Sequence, residues 1–428
     1  MRLQIREYPV TSLEWADMNG YAEGSLTLHK EALIRFLEED GGLAELMLTD
    51  LELICPQTSA RVINIAEVLP AHARLGEGAS DYPGLAGPLQ TAGEGISVQL
   101  SDFSVLAIAS LPSRYVKVLD KEGPGNALSP YSGHFHLAFR AVPRKQDMRR
   151  SDYFAQLKKM GLILGAYVAR VAAGSGAAPH RAADYDLTPC ADKLPRAVYV
   201  CMLASLQNWD KGEPILYGND LANMLPCVLH PNEMLDGAIT AQNFNLGIDT
   251  YSFVNNPVVK ELYARHGKDL DFAGVVVYAS HATREQRERS VQMTCTLVKH
   301  VLHADMAILT KVGGGIPESD VMMAVENLEK QGVTTTAILW SQWGDGTIKD
   351  ILSAFSPAAD AMVSVGINDT AICLPPQKRV VGGLTLDPLS DDPEALPQPA
   401  DQEIVLRTRE YCGAINQLGA SKVAMIER

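Results

Sequence analysis

Two rhythms of apolar and polar positions divide the chain. Up to residue 145, the runs GSLTLHK, LELICP, RVINIAEVLPAHARL, GISVQLSDFSVLAIA and HFHLAFRAV alternate or form short β-rich stretches. This is the period-2 signature of strands. Turn clusters such as GEGASDYPGLAGP and EGPGNALSP separate them. The pattern predicts an antiparallel barrel or sandwich. The run SDYFAQLKKMGLILGAYVARVAA predicts a helix over 151–173, with Ser151 as its N-cap. Residues 174–195 are rich in Gly, Pro and Ala, show no period and read as a linker. The rhythm then changes. AVYVCML, AGVVVYAS, MAILTKV, TTAILWSQ and AMVSVG are continuous apolar runs, alternating with helical patterns over 283–303, 317–331 and 347–355. Strands buried on both faces and alternating with helices make a parallel, doubly wound sheet. The expected fold class is α/β (α+β overall). A mostly antiparallel β domain at 1–173, closed by its helix, is followed by the linker and by a Rossmann-like α/β domain at 196–383. Residues 384–428 hold an acidic, Pro-rich irregular segment and a closing helix over 402–418.

Composition narrows the function classes. The chain has 428 residues, 46% hydrophobic and 21% charged, which is ordinary globular usage. A net charge of −14 argues against a nucleic-acid groove, which needs clustered Lys and Arg. No apolar run reaches the ~18–20 residues of a membrane span. The start, MRLQIREYPV, lacks the features of a signal peptide, so a cytoplasmic location is expected. Seven cysteines form an odd set with no CxxC pair. Their spacing indicates neither a disulfide framework nor a metal site, and buried reduced thiols are expected.

In open parallel sheets, ligands gather beyond the carboxyl ends of the strands. Three loops occupy that edge. Gly313, Gly314 and Gly315 lead into a helix, where exposed backbone amides suit a carboxylate or phosphate or serve packing alone. Trp340 and Trp343 flank a loop containing Asp345; their faces either hold a quaternary ammonium or seal the core. The third loop follows AMVSV. His134 and His136 share a strand face without an evident third metal ligand. In HPNE, His230 and Glu233 either share a ligand or bond each other and nearby backbone.

The run HPNEMLDGAIT…YSFVNNPVVKELYARHGKDLDFAGVVV resembles the substrate-specific component B subunits of the glycine, sarcosine and betaine reductases. EGPGNALSPYSGHFHLAF, RAVYVCML, YGNDLANMLPCVLHPNE, GGGIPESDVMMAVENLEKQGVTT and the VVGG after LPP extend the likeness, in order, over most of the chain. The resemblance implies one subunit of a multi-protein reductase that cleaves the C–N bond of an amino- or ammonium-acetate. A selenocysteine or cysteine on a partner subunit attacks the α-carbon, and the carboxymethyl group passes to a small selenoprotein. Glycine-type members are cut at an Asn–Cys bond shortly after DGAI, and the new terminus becomes a carbonyl that forms a Schiff base with the amine.

At that position Asn243 matches the asparagine, but Phe244 stands where the cysteine belongs. A chain without that nucleophile is expected to stay unprocessed, with no pyruvoyl cofactor of its own. The betaine-type members are closest in kind, since a quaternary nitrogen forms no Schiff base. What they imply is an aromatic cage drawn from Phe244, Tyr251, Phe253, Trp340 and Trp343. Asn255, Asn256 or the Gly313–Gly315 amides would take the carboxylate. His230, Asn232, Glu233, Asp236, Asn243 and Asp345 complete the candidate substrate-binding set. Arginine (21) outnumbers lysine (16), unlike the Lys-rich anaerobes in which amino-acid reduction is typical. That composition supports one alternative, a divergent member with another small substrate; the other is a non-catalytic assembly or scaffold paralogue, which the retained polar residues of HPNE and DGAI weaken.

Overall fold

The computed structural model describes the chain apart from residues 40–43, 112–116, 191–192, 208–212, 243–246, 342–353, 387–395, 423–425 and 428, and apart from the side chains at 426 and 427. In the first half, Arg2–Pro9 alternates buried and half-buried positions, whereas Ala60–Leu75 and Gly95–Ile108 are buried along most of their length. The long strands accordingly lie inside an eight-stranded sheet. Its main path runs Arg181–Asp186, Arg2–Pro9, Gly95–Ile108, Ala60–Leu75, Arg379–Val381. Register shifts at Ile65/Glu67 and Pro70/His72, with Asn64 and Asp102 both at φ 58°, bend the long pair. The bend lets one strand serve two neighbours: Gly95–Ser101 pairs with Leu3–Pro9, and Phe103–Ile108 with Phe135–Arg140. Both pairings are parallel, as is that of Arg379–Val381 with Ala60–Val62. The expected antiparallel arrangement is thus corrected to a mixed sheet. Alternation fixes which face of a strand is buried but not the direction of its neighbour.

The helix Arg150–Gly174 lies across this sheet, capped by Arg149 rather than Ser151. Gly161 and Gly165 permit the approach: a Cβ there would sit 2.2 Å from Leu69 Cδ1 and 2.4 Å from the Pro70 carbonyl oxygen. Glycine inside a helix costs about 1 kcal/mol relative to alanine, which the close packing offsets.

The second sheet runs Cys227–Leu229, Asp271–Ser280, Arg196–Ser205, Met306–Thr310, Thr334–Ser341, Met362–Ile367, Ile426–Glu427. Its inner strands are parallel and its two edges antiparallel. Taken in chain order the inner strands lie 2-1-3-4-5, a doubly wound arrangement whose switch falls between Arg196–Ser205 and Met306–Thr310. Arg284–Thr296 and Ile316–Lys330 cover one face, packing Val291, Cys295, Val321 and Val325 with Val198, Val200 and Met202. Thr250–Val254, Pro257–Arg265 and the segment holding Ile415 and Leu418 cover the other.

Three segments differ from expectation. Within 174–195, Arg181–Asp186 is an edge strand antiparallel to Arg2–Glu7. Over 402–418 the described residues hold no α-helix. Ile404–Arg407 is a strand paired with Ala371–Leu374, followed by a short 3-10 turn at Thr408–Glu410. Buried Ile404 and Leu406 alternate with exposed Val405 and Arg407, and Gly413 and Gly419 take positive φ, so the local period is 2. The helix over 283–303 ends as α at Thr296 and continues as a π turn, Leu297–Val301. The helix expected at 347–355 falls almost wholly outside the described residues. No helix among those described is long and apolar enough to cross a membrane.

Candidate functional site

The polar run after Leu229 mostly serves the backbone. His230 caps the short helix Pro231–Leu235: its Nδ1 accepts from the Asn232 amide (3.2 Å), and Glu233 accepts from the His230 amide (2.7 Å). Of the two readings of HPNE, this is the one that bonds nearby backbone. Asn232 is buried and donates to the Gly93 and Tyr185 carbonyls at 3.2 Å each, while Tyr263 donates to its Oδ1. Asp236 is fully buried. It accepts from Ser97 Oγ (2.5 Å) and the Gly93 amide (2.7 Å), faces His72 Nε2 at 3.2 Å, and pairs with Arg74 at 2.9 Å. Asn256 caps Pro257–Arg265 through the Val259 amide (3.0 Å). Asn255 Oδ1 takes Gln99 (2.6 Å) and Lys260 (2.8 Å). These side chains tie the two halves of the chain together and have little capacity left for a ligand.

The tryptophan is likewise occupied, and the glycine loop is held from below through a carbonyl. Lys311 is buried beneath the loop; its Nζ donates to the Gly313 carbonyl (2.6 Å) and to Glu318 (3.1 Å). The same ammonium stands 4.9 Å from the Trp340 ring centroid, and Trp340 is 1% exposed. The cation on this aromatic face is the chain's own. Phe253 is also core. Gly315 caps Ile316–Lys330 with φ 77°, and Gly314 lies between the two positive-φ glycines. Asn243, Phe244, Trp343 and Asp345 lie outside the described residues. His134 and His136 approach to 6.2 Å between ring centroids. His136 is held between Ser104 Oγ and Lys121 Nζ, each 2.9 Å away. Burial holds His134 down to about 3 and His136 well below the usual imidazole range, with Lys121 adding to both. Tyr251 packs edge-on against Tyr131 and tilted against His134, at 5.5 and 5.3 Å.

What sequence reading missed is a cavity of about 40 Å³ with Gln242 and Gly247 in its lining. Gln242 anchors one side of this stretch to the carboxyl end of the central strand through two bonds with the Ser205 backbone, 3.0 and 3.1 Å. Gly247 anchors the other: its carbonyl accepts from the Gln417 amide (2.9 Å), and at φ 77° a Cβ would meet the Ile415 carbonyl oxygen at 2.6 Å. The lining also includes Glu67, Asp249, Lys117, Arg409, Tyr411 and Cys412. Asp249 caps Thr250–Val254 through the Ser252 amide (2.8 Å) and accepts from Tyr131 Oη at 2.8 and 2.9 Å. Glu67 accepts from the Thr250 amide at 2.8 Å.

The electrostatics here are perturbed, as expected where functional groups converge. Burial raises Glu67 to about 8, against opposing pulls from Lys158 and the Thr250 amide. Burial lowers the Lys117 ammonium to about 8, with Cys412 and Glu410 pulling the other way. Burial raises Asp249 as well, and pushes the Cys412 thiol far up. The nearby Lys121 is lowered to about 7 by burial. One signal was present in the sequence: Glu67 is the only acid in the strand RVINIAEVLPAHARL, flanked by the apolar pairs Ile65-Ala66 and Val68-Leu69.

Gln242 thus ties this charged pocket to the carboxyl end of the central strand, the edge where ligands of doubly wound sheets gather. Comparison with known proteins makes this more specific. The family model for glycine/sarcosine/betaine reductase component B subunits matches residues 1–426, so the chain belongs to that family. It is 26% identical over 434 residues to the glycine reductase complex component B subunits alpha and beta of Acetoanaerobium sticklandii, covering 99% of each chain. It is 27% identical over 394 residues to the sarcosine reductase complex component B subunit alpha of Peptoclostridium acidaminophilum, 90% of each. The betaine reductase complex component B subunit alpha of the same organism is 26% identical over 398 residues, 90% of this chain and 88% of that one. No solved structure matches the chain.

Proposed function

We propose that this chain is the substrate-binding subunit of a reductase complex, and that it holds a small amino- or ammonium-carboxylate in the cavity lined by Gln242 and Gly247. The observation that carries the reading is the lining itself: the Asp249 carboxyl and two cationic side chains, Lys117 and Arg409, share one small space with Glu67, whose carboxyl burial keeps protonated. A zwitterion matches that pair of opposite charges better than a simple acid or amine does. In this reading, a selenocysteine or cysteine thiolate on a partner subunit forms a bond to the α-carbon. The C–N bond breaks and the amine leaves. This chain's part is to bind and orient. Phe244, in the place of the self-cleaving cysteine, leaves the chain intact and without a carbonyl group of its own. Relatives named for glycine, sarcosine and betaine reductase complexes support both the substrate class and a multi-subunit assembly.

The aromatic cage is revised within the same reading. Trp340 already faces Lys311, and Phe253 is core, so neither is offered to a substrate cation.

Calorimetry of the intact chain, alone and with its partner, against glycine, sarcosine, betaine and acetate tests this. A zwitterion is expected to bind better than acetate, and Lys117→Met to weaken it about tenfold, or ~1.4 kcal/mol. Acetate binding as well as the zwitterions would point to a divergent substrate. No binding by chain or complex would favour a scaffold.

A further inference from the structure

A second cluster lies at the opposite end of the parallel sheet. Cys190 Sγ, His266 Nδ1 and Asp271 Oδ1 converge pairwise: sulfur to nitrogen 3.8 Å, sulfur to oxygen 3.7 Å, nitrogen to oxygen 3.7 Å. Three ligands on a tetrahedral zinc, with bonds of about 2.0–2.3 Å, stand about 3.4–3.6 Å from one another. The cluster is therefore within a few tenths of an ångström of a ligand set. It is the only such group of three or more His, Cys and carboxylate residues among those described. Cys190 stands 76 and 81 residues from its neighbours, so no motif spacing announces it.

The surroundings orient the set. His266 Nε2 lies 3.0 Å from the Thr188 carbonyl, so that nitrogen carries the proton and Nδ1 is left unprotonated. The second carboxylate oxygen of Asp271 is held by Arg196 at 2.8 Å. The Phe272 amide donates to Nδ1 at 3.0 Å, and this bond must yield to a metal. One hydrogen bond is a modest loss against coordination by three ligands.

We propose that Cys190, His266 and Asp271 bind one divalent cation of the zinc class through Sγ, Nδ1 and Oδ1, with solvent in the fourth position. Binding releases the Cys190 thiol proton to solvent. The site joins the segment between Arg181–Asp186 and Arg196–Ser205 to the end of helix Pro257–Arg265 and the start of strand Asp271–Ser280. That is the amino edge of the sheet, away from the cavity. Its role is to pin this connection rather than to act on substrate.

The test uses the full chain, stripped with a chelator and titrated with Co²⁺. The expected result is one equivalent bound, with a thiolate-to-cobalt absorption that Zn²⁺ displaces. Cys190→Ser should abolish that absorption and weaken Zn²⁺ binding by roughly a hundredfold or more. It should also remove the Zn²⁺-induced rise in Tm, while the metal-free Tm and near-ultraviolet circular dichroism match the wild type. Wild-type chain with no saturable thiolate–cobalt band overturns the proposal whatever the variant does. So does a band that persists in Cys190→Ser.

Discussion

Replacing Glu67 by glutamine isolates the buried carboxyl at the cavity. Glu67 is 5% exposed, and its partner is the Thr250 amide at 2.8 Å. Burial raises it from an ordinary 4.5 to about 8. The folded chain therefore keeps a proton that the unfolded chain releases. The stability this provides is complete below pH 4.5 and is lost as pH rises toward 8. At 1.36 kcal/mol per pH unit, the full excursion has a ceiling of about 5 kcal/mol. Glutamine keeps the size and an acceptor for Thr250 but does not titrate. Its amide group adds a fixed cost, so the readout is the slope and not the offset. The difference in stability between Glu67→Gln and wild type should move in favour of the variant between pH 5 and pH 8, on the order of a few kcal/mol and a few degrees in Tm. Thermal unfolding at pH 5, 6.5 and 8 measures it. A difference that stays flat, or one that favours wild type as pH rises, would refute the reasoning, because it would mean that Glu67 is already ionised in the fold.

Other substitutions probe the frame around the cavity. Asp236→Ala strips the carboxylate from buried Arg74 and His72 and should cost about 3–5 kcal/mol, read from denaturant or thermal unfolding; a loss under 1 kcal/mol would mean that solvent reaches Arg74. Gly247→Ala forces a Cβ against the Ile415 carbonyl at positive φ and should cost about 1–3 kcal/mol with weaker zwitterion binding. Unchanged binding in that variant would place the ligand elsewhere. Asn256→Ala removes the cap of Pro257–Arg265 and should cost about 1 kcal/mol in Tm measurements without altering ligand binding.

The parallel sheet was legible because AVYVCML and AGVVVYAS are apolar without a break, which only a strand covered on both faces requires. The mixed sheet was not. The alternation in Arg2–Pro9 says which side chains face the core but not that Gly95–Ser101 runs alongside in the same direction. The closing helix failed for a related reason: Ile404 and Leu406 fit a helical face as well as a strand face, and only pairing with Ala371–Leu374 decides. The polar run was found, but its structural use was only partly legible. His230, Asn232 and Asn256 serve caps and carbonyls, a use invisible until their partners are placed. Trp340 shows the same limit, since Lys311 lies 29 positions earlier and meets it only across the sheet. The cavity draws Glu67, Lys117, Asp249, Arg409 and Cys412 from distant stretches, so no local motif marks it.

The central claim is an intact substrate-binding subunit that works beside a redox partner. Denaturing intact mass spectrometry of the complex, captured by this subunit from its native cells, tests it most directly. The account predicts a single chain of 46.3 kDa with a selenocysteine- or cysteine-bearing partner. Two fragments split near residue 243, one with a carbonyl terminus, would contradict it.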